Sequence, residues 1–268
     1  MKERVDVLAY NQGLFESREQ AKRGVMAGLV VDMKSGERFD KAGTKIEDTV
    51  ELRLKGEKLK YVSRGGLKLE KAIRQFEISI KDKVCLDIGS STGGFTDVML
   101  QEGAKKVYAL DVGTNQLAWK IRQDMRVIVM EQFNFRKALL SDFSEGQPEF
   151  TSIDVSFISL GLILPVLFNI LKDSGEVLAL IKPQFEAGRE QVGKNGIIKD
   201  PKVHLSVIKK VMMMSEEIGF SILDLTFSPI KGGAGNVEFL IYLKKEKGLN
   251  NPSIDIESIL AQEKKELE

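Results

Sequence analysis

Short apolar runs alternate with segments of helical periodicity along most of this chain. In the segments between the runs, apolar residues return every three or four positions, as Leu69, Ala72, Ile73 and Phe76 do, and this spacing predicts helices with one buried face. The apolar runs predict seven strands, at residues 84–88, 106–112, 126–130, 150–155, 176–181, 220–227 and 237–244. Strands that alternate with helices predict a mostly parallel sheet covered on both faces.

The last two predicted strands are joined differently from the others. Residues 228–236 form a short, glycine-rich link with no room for a crossover helix, so the last strand should be antiparallel. The predicted sheet therefore has six parallel strands and a seventh that runs against them. This Rossmann-like α/β layout is the one seen in the large class of methyltransferases that use S-adenosylmethionine (SAM).

The first 60 residues predict a separate, small α+β module. Val5, Leu8 and Ala9 repeat at helical spacing, and Ser17 begins a second helix in a capping box with Gln20. Residues 29–33 and 49–54 predict strands. We expect four parts: a small domain at 1–60, a linker at 61–66, a catalytic domain at 67–245 and a charged tail at 246–268. The tail either docks as a helix or frays.

Composition adds four constraints. Of 268 residues, 43% are hydrophobic and 29% are charged, as in a globular protein with a substantial core. The net charge is +1, so any basic surface must be local. The single cysteine, Cys85, lies in an apolar run and should be core, and it excludes an internal disulfide. With one histidine, His204, which we expect to be partly exposed on a helix, the usual zinc clusters are excluded and we expect no metal.

No segment predicts membrane insertion. The charged first residues do not predict a signal peptide. Residues 157–171 form the most apolar window, but Pro165 and Asn169 interrupt it, and a bilayer span needs about 20 apolar residues. We expect a buried helix in this window, and a monomeric, cytoplasmic protein without a membrane partner.

The first predicted strand of the sheet leads into a glycine-rich turn. Asp87 stands two residues before Gly89, and Gly93 and Gly94 precede a helical pattern. This spacing is neither the dinucleotide-binding pattern nor a Walker loop. An acid before the first glycine suits a positively charged ligand, and Asp111, after the next strand, can accept both ribose hydroxyls of an adenosine. The pattern favours SAM, which has an ammonium and a sulfonium, over an ordinary glycine-rich turn.

Ionisable residues recur where the predicted strands meet one edge of the sheet. Ligands of parallel sheets bind at the carboxyl ends of the strands. Four residues occupy such ends, and a fifth opens the antiparallel strand and so returns to the same edge: Asp87, Asp111, Asp154, Lys182 and Glu238. Each alone could be a surface charge, but together they predict one site.

The first 60 residues resemble the small RNA-binding domain of the ribosomal-protein-S-four type. The resemblance rests on Ser17-Arg18-Glu19-Gln20-Ala21-Lys22 and Ala27-Gly28-Leu29-Val30. It implies that four basic side chains face RNA and contact its phosphates: Arg4, Arg18, Lys22 and Arg23. An ordinary solvated helix face remains the alternative.

Longer motifs resemble the TlyA family of RNA 2′-O-methyltransferases, which are often labelled hemolysins and are related to the FtsJ ribose methyltransferases. The motifs follow one another in the same order: Tyr61-Val62-Ser63-Arg64-Gly65-Gly66-x-Lys68-Leu69, Asp87-Ile88-Gly89-Ser90-Ser91-Thr92-Gly93-Gly94-Phe95, Asp154-Val155-Ser156-Phe157-Ile158-Ser159-Leu160, Lys182-Pro183-Gln184-Phe185-Glu186 and Gly235-Asn236-Val237-Glu238. The resemblance implies SAM-dependent methylation of a ribose in ribosomal RNA, with the RNA or a ribosomal subunit as partner.

The resemblance also implies the roles of individual residues. It gives a catalytic tetrad of Lys68, Asp154, Lys182 and Glu238. It gives cofactor contacts at Asp87, Gly89, Ser90, Gly93, Gly94, Phe95, Asp111 and Asn134. A base must take the proton of a 2′-hydroxyl, and Lys182 could do so if burial and the charge of Lys68 lowered its pKa. Alternatively, Lys182 stays protonated and stabilises the developing oxyanion.

Two other functions stay open on the sequence alone. One is SAM-dependent methylation of another RNA position or of a protein, which the Lys-Asp-Lys-Glu set disfavours. The other is a membrane-active hemolysin, which should carry an amphipathic or spanning segment that does not appear. We also expect the junction at 61–66 to couple RNA binding to the placement of Lys68, although a passive linker is nearly as plausible.

Overall fold

The computed structural model describes residues 2–33, 35–55, 60–193, 196–232, 235–246 and 253–267. The chain divides into two compact units, Met1–Lys60 and Tyr61–Glu268. The residues of the expected linker, 61–66, belong to the second unit, and so does the described part of the tail.

The first unit packs two helices over short antiparallel strands. Its elements are β1 (Lys2–Arg4), α1 (Val5–Asn11), α2 (Arg18–Met26), β2 (Val30–Asp32), β3 (Arg38–Phe39), β4 (Lys45–Glu47) and β5 (Leu52–Leu54). The sheet order is β3-β2-β5, and β1 pairs with β4. Both helices and two of the strands were predicted. Strands β1, β3 and β4 were missed, because β3 has only two residues and β1 and β4 consist mostly of charged residues, so none of them stands out as an apolar run.

The start of α2 follows the predicted capping pattern with one difference. The Oγ of Ser17 accepts a hydrogen bond from the backbone N–H of Gln20, at 3.2 Å. The side chain of Gln20 accepts from the backbone N–H of Glu16 rather than from that of Ser17. The buried face of the two helices is apolar and fully inaccessible at Val5, Ala21 and Val25.

The second unit is built on the predicted seven-stranded sheet. Its strands are β6 (Val84–Ile88), β7 (Lys106–Leu110), β8 (Val127–Met130), β9 (Phe150–Ile153), β10 (Glu176–Ile181), β11 (Ser221–Phe227) and β12 (Phe239–Lys244). The order across the sheet is β11-β12-β10-β9-β6-β7-β8. Only β12 runs against its neighbours β10 and β11, which confirms the prediction of six parallel strands and one antiparallel strand.

Helices cover both faces of this sheet. They are α3 (Gly66–Gln75), α4 (Gly94–Gln101), α5 (Trp119–Arg122), α6 (Leu164–Ile170), α7 (Pro183–Glu186), α8 (Pro201–Ile218) and α9 (Ile256–Leu267). Alternate residues of β6 enter different apolar clusters, Leu86 and Ile88 on one face and Cys85 on the other. Cys85 is fully buried, as predicted, and burial raises the pKa of its thiol to about 12.

The strand order reverses beside β6, which is the position that binds ligands in open α/β sheets. The chain passes outward from β6 to β7 and β8, then returns to β9 on the other side of β6. The loops that follow β6 and β9 therefore diverge and leave a crevice at their carboxyl ends. The fold by itself therefore predicts a ligand-binding site in this crevice.

Two predictions about single segments are wrong. Residues 157–171 do not form one buried helix: a 3-10 turn at Leu160–Leu162 precedes α6, and Phe157 is 90% exposed. His204 is not partly exposed but buried on α8, where its Nε2 lies 3.2 Å from the carbonyl oxygen of Ile198 and its ring packs edge-on against Phe239. Both errors arise from tertiary contacts that periodicity does not report.

The described end of the tail is a docked helix. Ile256 of α9 is buried, and Ile259 and Leu260 pack partly buried against the same apolar cluster as β11. The structure therefore supports the docked alternative rather than the frayed one for residues 253–267. None of the helices in the described part of the chain has the length and apolar composition needed to cross a membrane.

A candidate active site at the carboxyl ends of the central strands

Four charged side chains meet where the central strands end. Asp154 follows β9 directly, Lys182 follows β10, and Glu238 immediately precedes β12. Lys68 comes from the first turn of α3. The four residues are far apart in sequence. The sheet brings Asp154, Lys182 and Glu238 to one edge, as the pattern of strand ends predicted, and α3 brings Lys68, which only the family resemblance had implied, to the same place.

The four side chains form one continuous chain of ion pairs. The Nζ of Lys68 lies 2.6 Å from Glu238 Oε2 and 3.3 Å from Asp154 Oδ2. The other oxygen of Asp154, Oδ1, lies 2.5 Å from the Nζ of Lys182. The order is therefore Glu238, Lys68, Asp154, Lys182, with Asp154 bridging the two lysines.

Burial strengthens the electrostatic interactions within this chain of ion pairs. Lys68, Lys182 and Glu238 are 7%, 9% and 3% exposed. Burial by itself would lower the pKa of Lys68, but Asp154 and Glu238 outweigh it and hold that pKa above its ordinary value. Burial would likewise raise the pKa of Asp154, but the two lysines outweigh burial and hold that pKa below its ordinary value. Two ammonium groups balance two carboxylates, so the cluster is neutral overall.

Lys182 has a further partner that the sequence did not single out. Its Nζ donates to the Oγ of Ser156, at 3.1 Å. An ammonium carries three N–H groups, and the contacts with Asp154 and Ser156 use two of them. Because Ser156 is exposed, Lys182 lies at the boundary between the buried cluster and the open crevice. Ser156 belongs to a quoted motif, but nothing in the sequence showed that its hydroxyl would reach Lys182.

The glycine-rich turn after β6 has the shape of a ligand cradle. Gly89 has a φ of +86° and Gly93 a φ of +91°, which few other residues adopt. A Cβ on Gly89 would lie 2.4 Å from the carbonyl oxygen of Asp154, and one on Gly94 would lie 2.3 Å from the Oγ of Ser63. The turn therefore packs against the loop of Asp154 on one side and the start of α3 on the other, and only glycine fits.

Asp87 lies beneath this turn and is fully enclosed. Its carboxylate accepts hydrogen bonds from Thr96 Oγ1 at 2.7 Å and Ser152 Oγ at 3.0 Å. Burial raises the pKa of Asp87 from its ordinary value of 3.8 to about 6. Neither hydroxyl was singled out from the sequence. Among the described residues, hydroxyl groups rather than a cation contact this carboxylate, which suits it to a positive ligand above it.

The remaining predicted cofactor residues lie around the same turn. Asp111 accepts from the backbone N–H groups of Ser91 and Gly113, at 2.8 and 2.7 Å, and so ties the turn after β7 to the one after β6. Ser90 is buried in the turn, and Phe95 is buried in the apolar cluster below it. Asn134 is placed less directly, because its Oδ1 accepts from the backbone and Nε of Arg136.

An aromatic-lined depression of about 480 Å³ adjoins the lysine side of the site. Its lining residues are Arg136, Phe157, Ile158, Ser159, Leu162 and Phe185. The rings of Phe157 and Phe185 lie 4.9 Å apart, and Phe157 has a φ of +63°. Apart from Arg136, which follows β8, the residues of this depression lie in the segments after β9 and β10 that also hold Asp154 and Lys182. In the residues that the structure describes, no group of His, Cys, Asp or Glu side chains could hold a metal ion.

The predicted RNA-facing residues lie in the first unit, and they differ in their surroundings. Arg18, Lys22 and Arg23 are exposed on α2, with Arg23 3.4 Å from Glu19. Arg4 instead makes a two-point ion pair with Asp6, at 2.9 and 2.8 Å. Within this unit, Arg18 and Lys22 are therefore the better candidates for phosphate contact.

Comparison with known proteins agrees with this geometry. The family model of the FtsJ-like methyltransferases matches residues 61–245. A solved structure from Streptococcus thermophilus is 63% identical, covers 99% of this chain and 96% of its own, and superposes with a TM-score of 0.79. Hemolysin A of Brachyspira hyodysenteriae is 44% identical, over 89% of this chain and 98% of that protein.

A further relative carries a specific enzyme name. The 16S/23S rRNA (cytidine-2′-O)-methyltransferase TlyA of Mycobacterium tuberculosis is 38% identical, over 91% of this chain and 90% of that protein. The sheet, its glycine cradle and the family match together define a methyltransferase that uses SAM as its methyl donor. Within that class, the chain belongs to the TlyA family of FtsJ-like methyltransferases.

Proposed function

We propose that this enzyme methylates a ribose 2′-hydroxyl in ribosomal RNA. The observation that carries the proposal is the buried Lys68, Asp154, Lys182 and Glu238 cluster, which leaves Lys182 at the edge of an open crevice. The name of the Mycobacterium tuberculosis relative supports the same substrate. The proposed substrate implies that the enzyme works in the cytoplasm, where ribosomes are assembled, and we propose that it acts as a monomer.

The chemistry requires a group that handles a proton beside the attacking oxygen. SAM supplies an electrophilic methyl group with an excellent leaving group. A ribose 2′-hydroxyl is almost wholly protonated at neutral pH, so its proton must leave as the oxygen attacks. Lys182 lies where it can accept that proton or donate a hydrogen bond to the developing oxyanion. Asp154 and Ser156 occupy two of the three bonding directions of the Lys182 Nζ and leave the third for the hydroxyl.

Lys68 and Glu238 support this arrangement rather than act on the hydroxyl. Lys68 neutralises the second oxygen of Asp154, and Glu238 in turn fixes Lys68. Removing Lys68 would leave Glu238 without its ion-pair partner, and removing Asp154 would leave Lys182 without one, and stranding a buried charge in this way costs about 3–5 kcal/mol. We infer that the set keeps Asp154 ionised and Lys182 in one orientation, because alignment supplies much of the rate in a displacement of this kind.

The glycine cradle is the proposed cofactor site. Asp87 would balance the positive charge of the cofactor, and Asp111 would accept its ribose hydroxyls. Gly89, Ser90, Gly93 and Gly94 would let the backbone approach it, with Phe95 packing beneath. Asn134 would accept from the adenine amino group, which requires its Oδ1 to exchange one of its bonds with Arg136.

The aromatic-lined depression is the proposed site for the base of the target nucleotide. An exposed phenylalanine at positive φ is unfavourable unless function requires it. Bases stack on aromatic rings with a gain of about 1–3 kcal/mol each, and Phe157 lies three residues from Asp154 while Phe185 lies three from Lys182. A base stacked there would bring its own ribose towards Lys182. The first unit, through Arg18, Lys22 and Arg23, is proposed to bind more distant phosphates.

Nucleoside analysis tests the proposal. Ribosomal RNA is incubated with the enzyme and SAM labelled in its methyl group, digested, and analysed by mass spectrometry. Label on a ribose supports the proposal, whereas label on a base, or in ribosomal protein, indicates the alternative methyltransferase activities. Lysis of red cells by the purified protein that persists in Lys182→Ala would indicate a hemolysin instead.

A further inference from the structure

A buried carboxylate outside the tetrad connects the two loops that carry Asp154 and Lys182. Glu186 is 4% exposed and ends the single turn of α7, four residues after Lys182. Its Oε2 accepts from the Oγ of Ser159 and its Oε1 from the backbone N–H of Leu160, both at 2.7 Å. Burial raises the pKa of Glu186 above its ordinary value.

The two loops therefore meet at two points. At the first point, beside the open crevice, Lys182 contacts Asp154 and Ser156. At the second point, Glu186 contacts Ser159 and Leu160. Phe185 packs against Phe157 between the two points.

The segment between the two contact points of the second loop is stiff. Pro183 restricts the backbone directly after Lys182, and the N–H groups of Phe185 and Ala187 bond to the carbonyl oxygens of Lys182 and Pro183, both at 2.9 Å. From behind, Lys210 of α8 donates to the carbonyl oxygen of Glu186 at 2.8 Å. A displacement of Glu186 would therefore be transmitted to Lys182.

We propose that Glu186 is a positioning residue that sets the separation of Lys182 and Asp154 by clamping the loop after β9 to α7. The proposal rests on the function proposed above. Glu186 lies behind the tetrad and acts through Lys182. Glu186 acts through its two hydrogen bonds rather than through its charge. A glutamine has the same shape, can accept from Leu160 and can donate to Ser159, so it should be able to replace Glu186.

Two variants and a rescue test the proposal. We expect Glu186→Ala and Ser159→Ala to lower kcat about ten- to a hundredfold, as expected for a displacement of about 1 Å. In Glu186→Ala the KM for RNA and the calorimetric Kd for SAM should change less than about threefold, because Glu186 lines neither the aromatic depression nor the glycine cradle. In Ser159→Ala the same limit applies to the Kd for SAM alone, because Ser159 lines the depression. Glu186→Gln should restore most of the lost kcat. Glu176→Ala is the matched control, since it removes a carboxylate bonded to Lys83 and Tyr242 at the opposite end of β10.

A second readout does not depend on catalysis. In the protein without cofactor or RNA, acetylation of Lys182 by a lysine reagent, measured by peptide mass spectrometry relative to Lys83, should rise in Glu186→Ala and Ser159→Ala and stay low in Glu186→Gln. Unchanged kcat and unchanged acetylation in Ser159→Ala, or a Glu186→Gln as inactive as Glu186→Ala, would overturn the proposal. Absence of ribose methylation by the wild-type enzyme would contradict the proposed function, while the acetylation result would still decide the clamp.

Discussion

At the scale of single residues, burying the ionised carboxylate of Asp87 lowers the stability of the folded protein. The pKa of Asp87 is about 6 in the folded protein and 3.8 ordinarily, a difference that corresponds to about 3 kcal/mol. Because the folded pKa is the higher one, the folded protein binds this proton more tightly. The associated stability is present below about pH 4 and is lost as the pH rises through about 6.

Asp87→Asn should therefore stabilise the protein while it weakens cofactor binding. Urea unfolding at pH 8 should show a gain of up to about 3 kcal/mol, and the gain should shrink at pH 4. The calorimetric Kd for SAM should rise at least about tenfold, since the balancing charge is gone. Asp40→Asn on the exposed surface of the first unit is the control. Equal stability of wild type and variant at pH 8 would contradict the assigned burial cost.

The order of the ion pairs predicts different consequences for replacing Lys182, at the end of the chain, and Asp154, between the two lysines. Lys182→Ala should abolish methyl transfer while the protein stays folded and binds SAM, because Asp154 keeps Lys68 as a partner. Asp154→Ala should abolish transfer too, but it strips a partner from two buried lysines and should lower stability by about 3–5 kcal/mol. Thermal unfolding and single-turnover methylation measure both effects. Near-normal turnover in either variant would show that the replaced residue is not needed for catalysis, and would contradict the proposed role of the tetrad.

At the scale of elements, α2 is the proposed phosphate-binding helix. Arg18→Glu combined with Lys22→Glu should weaken RNA binding, and should flatten the plot of log affinity against log salt by about 0.7–0.9 for each lost contact. Lys81→Glu with Lys105→Glu reverses the same number of exposed charges at the amino ends of β6 and β7. An unchanged slope in the α2 variant would mean that this helix face is only solvated.

The elements that the sequence predicted are those with enough residues to show a period. All seven strands of the large sheet were predicted, and five of their fourteen ends differed by one or two residues, as for residues 106–112 against Lys106–Leu110. In the first unit β2 and β5 were predicted, whereas β1, β3 and β4, which have fewer apolar residues, were missed. Residues 157–171 were misread because an apolar window does not reveal that Phe157 turns outward at a positive φ.

The candidate site was predictable only in part, for a related reason. Strand ends identify Asp154 and Lys182, because topology alone carries them to one edge. The contacts of Ser156, Thr96, Ser152 and Glu186 join a loop, a helix or a strand to a different element of the fold. Periodicity reports the elements but not which side chains meet between them, so these hydrogen bonds appear only in three dimensions.

At the scale of the whole molecule, the junction at 61–66 leads directly to Lys68. Gly65 and Gly66 both have ordinary helical geometry, so neither needs the backbone freedom of glycine in this structure. Their role in the structure is close packing, since a Cβ on Gly66 would lie 2.7 Å from the ring of Tyr61. The hypothesis that RNA binding helps to place Lys68 remains a proposal.

Replacing both glycines tests that coupling. Gly65→Ala with Gly66→Ala should lower turnover more than it lowers affinity for RNA or SAM, because the added methyl displaces the start of α3 and with it Lys68. Gly65→Ala alone is the control, as its Cβ would meet only the Oγ of Ser63 at 3.3 Å. If turnover and both affinities stay unchanged in the double variant, the junction is a passive tether.

Methylation of separated ribosomal subunits tests the central claim most directly. Each subunit is incubated with SAM and with either the wild-type enzyme or Lys182→Ala, and ribose methylation is mapped nucleotide by nucleotide through resistance of the RNA to alkaline cleavage. We predict new 2′-O-methyl groups at one or a few discrete positions with the wild-type enzyme and none with the variant. Wild-type enzyme that binds SAM yet adds no ribose methyl group to either subunit would contradict the account.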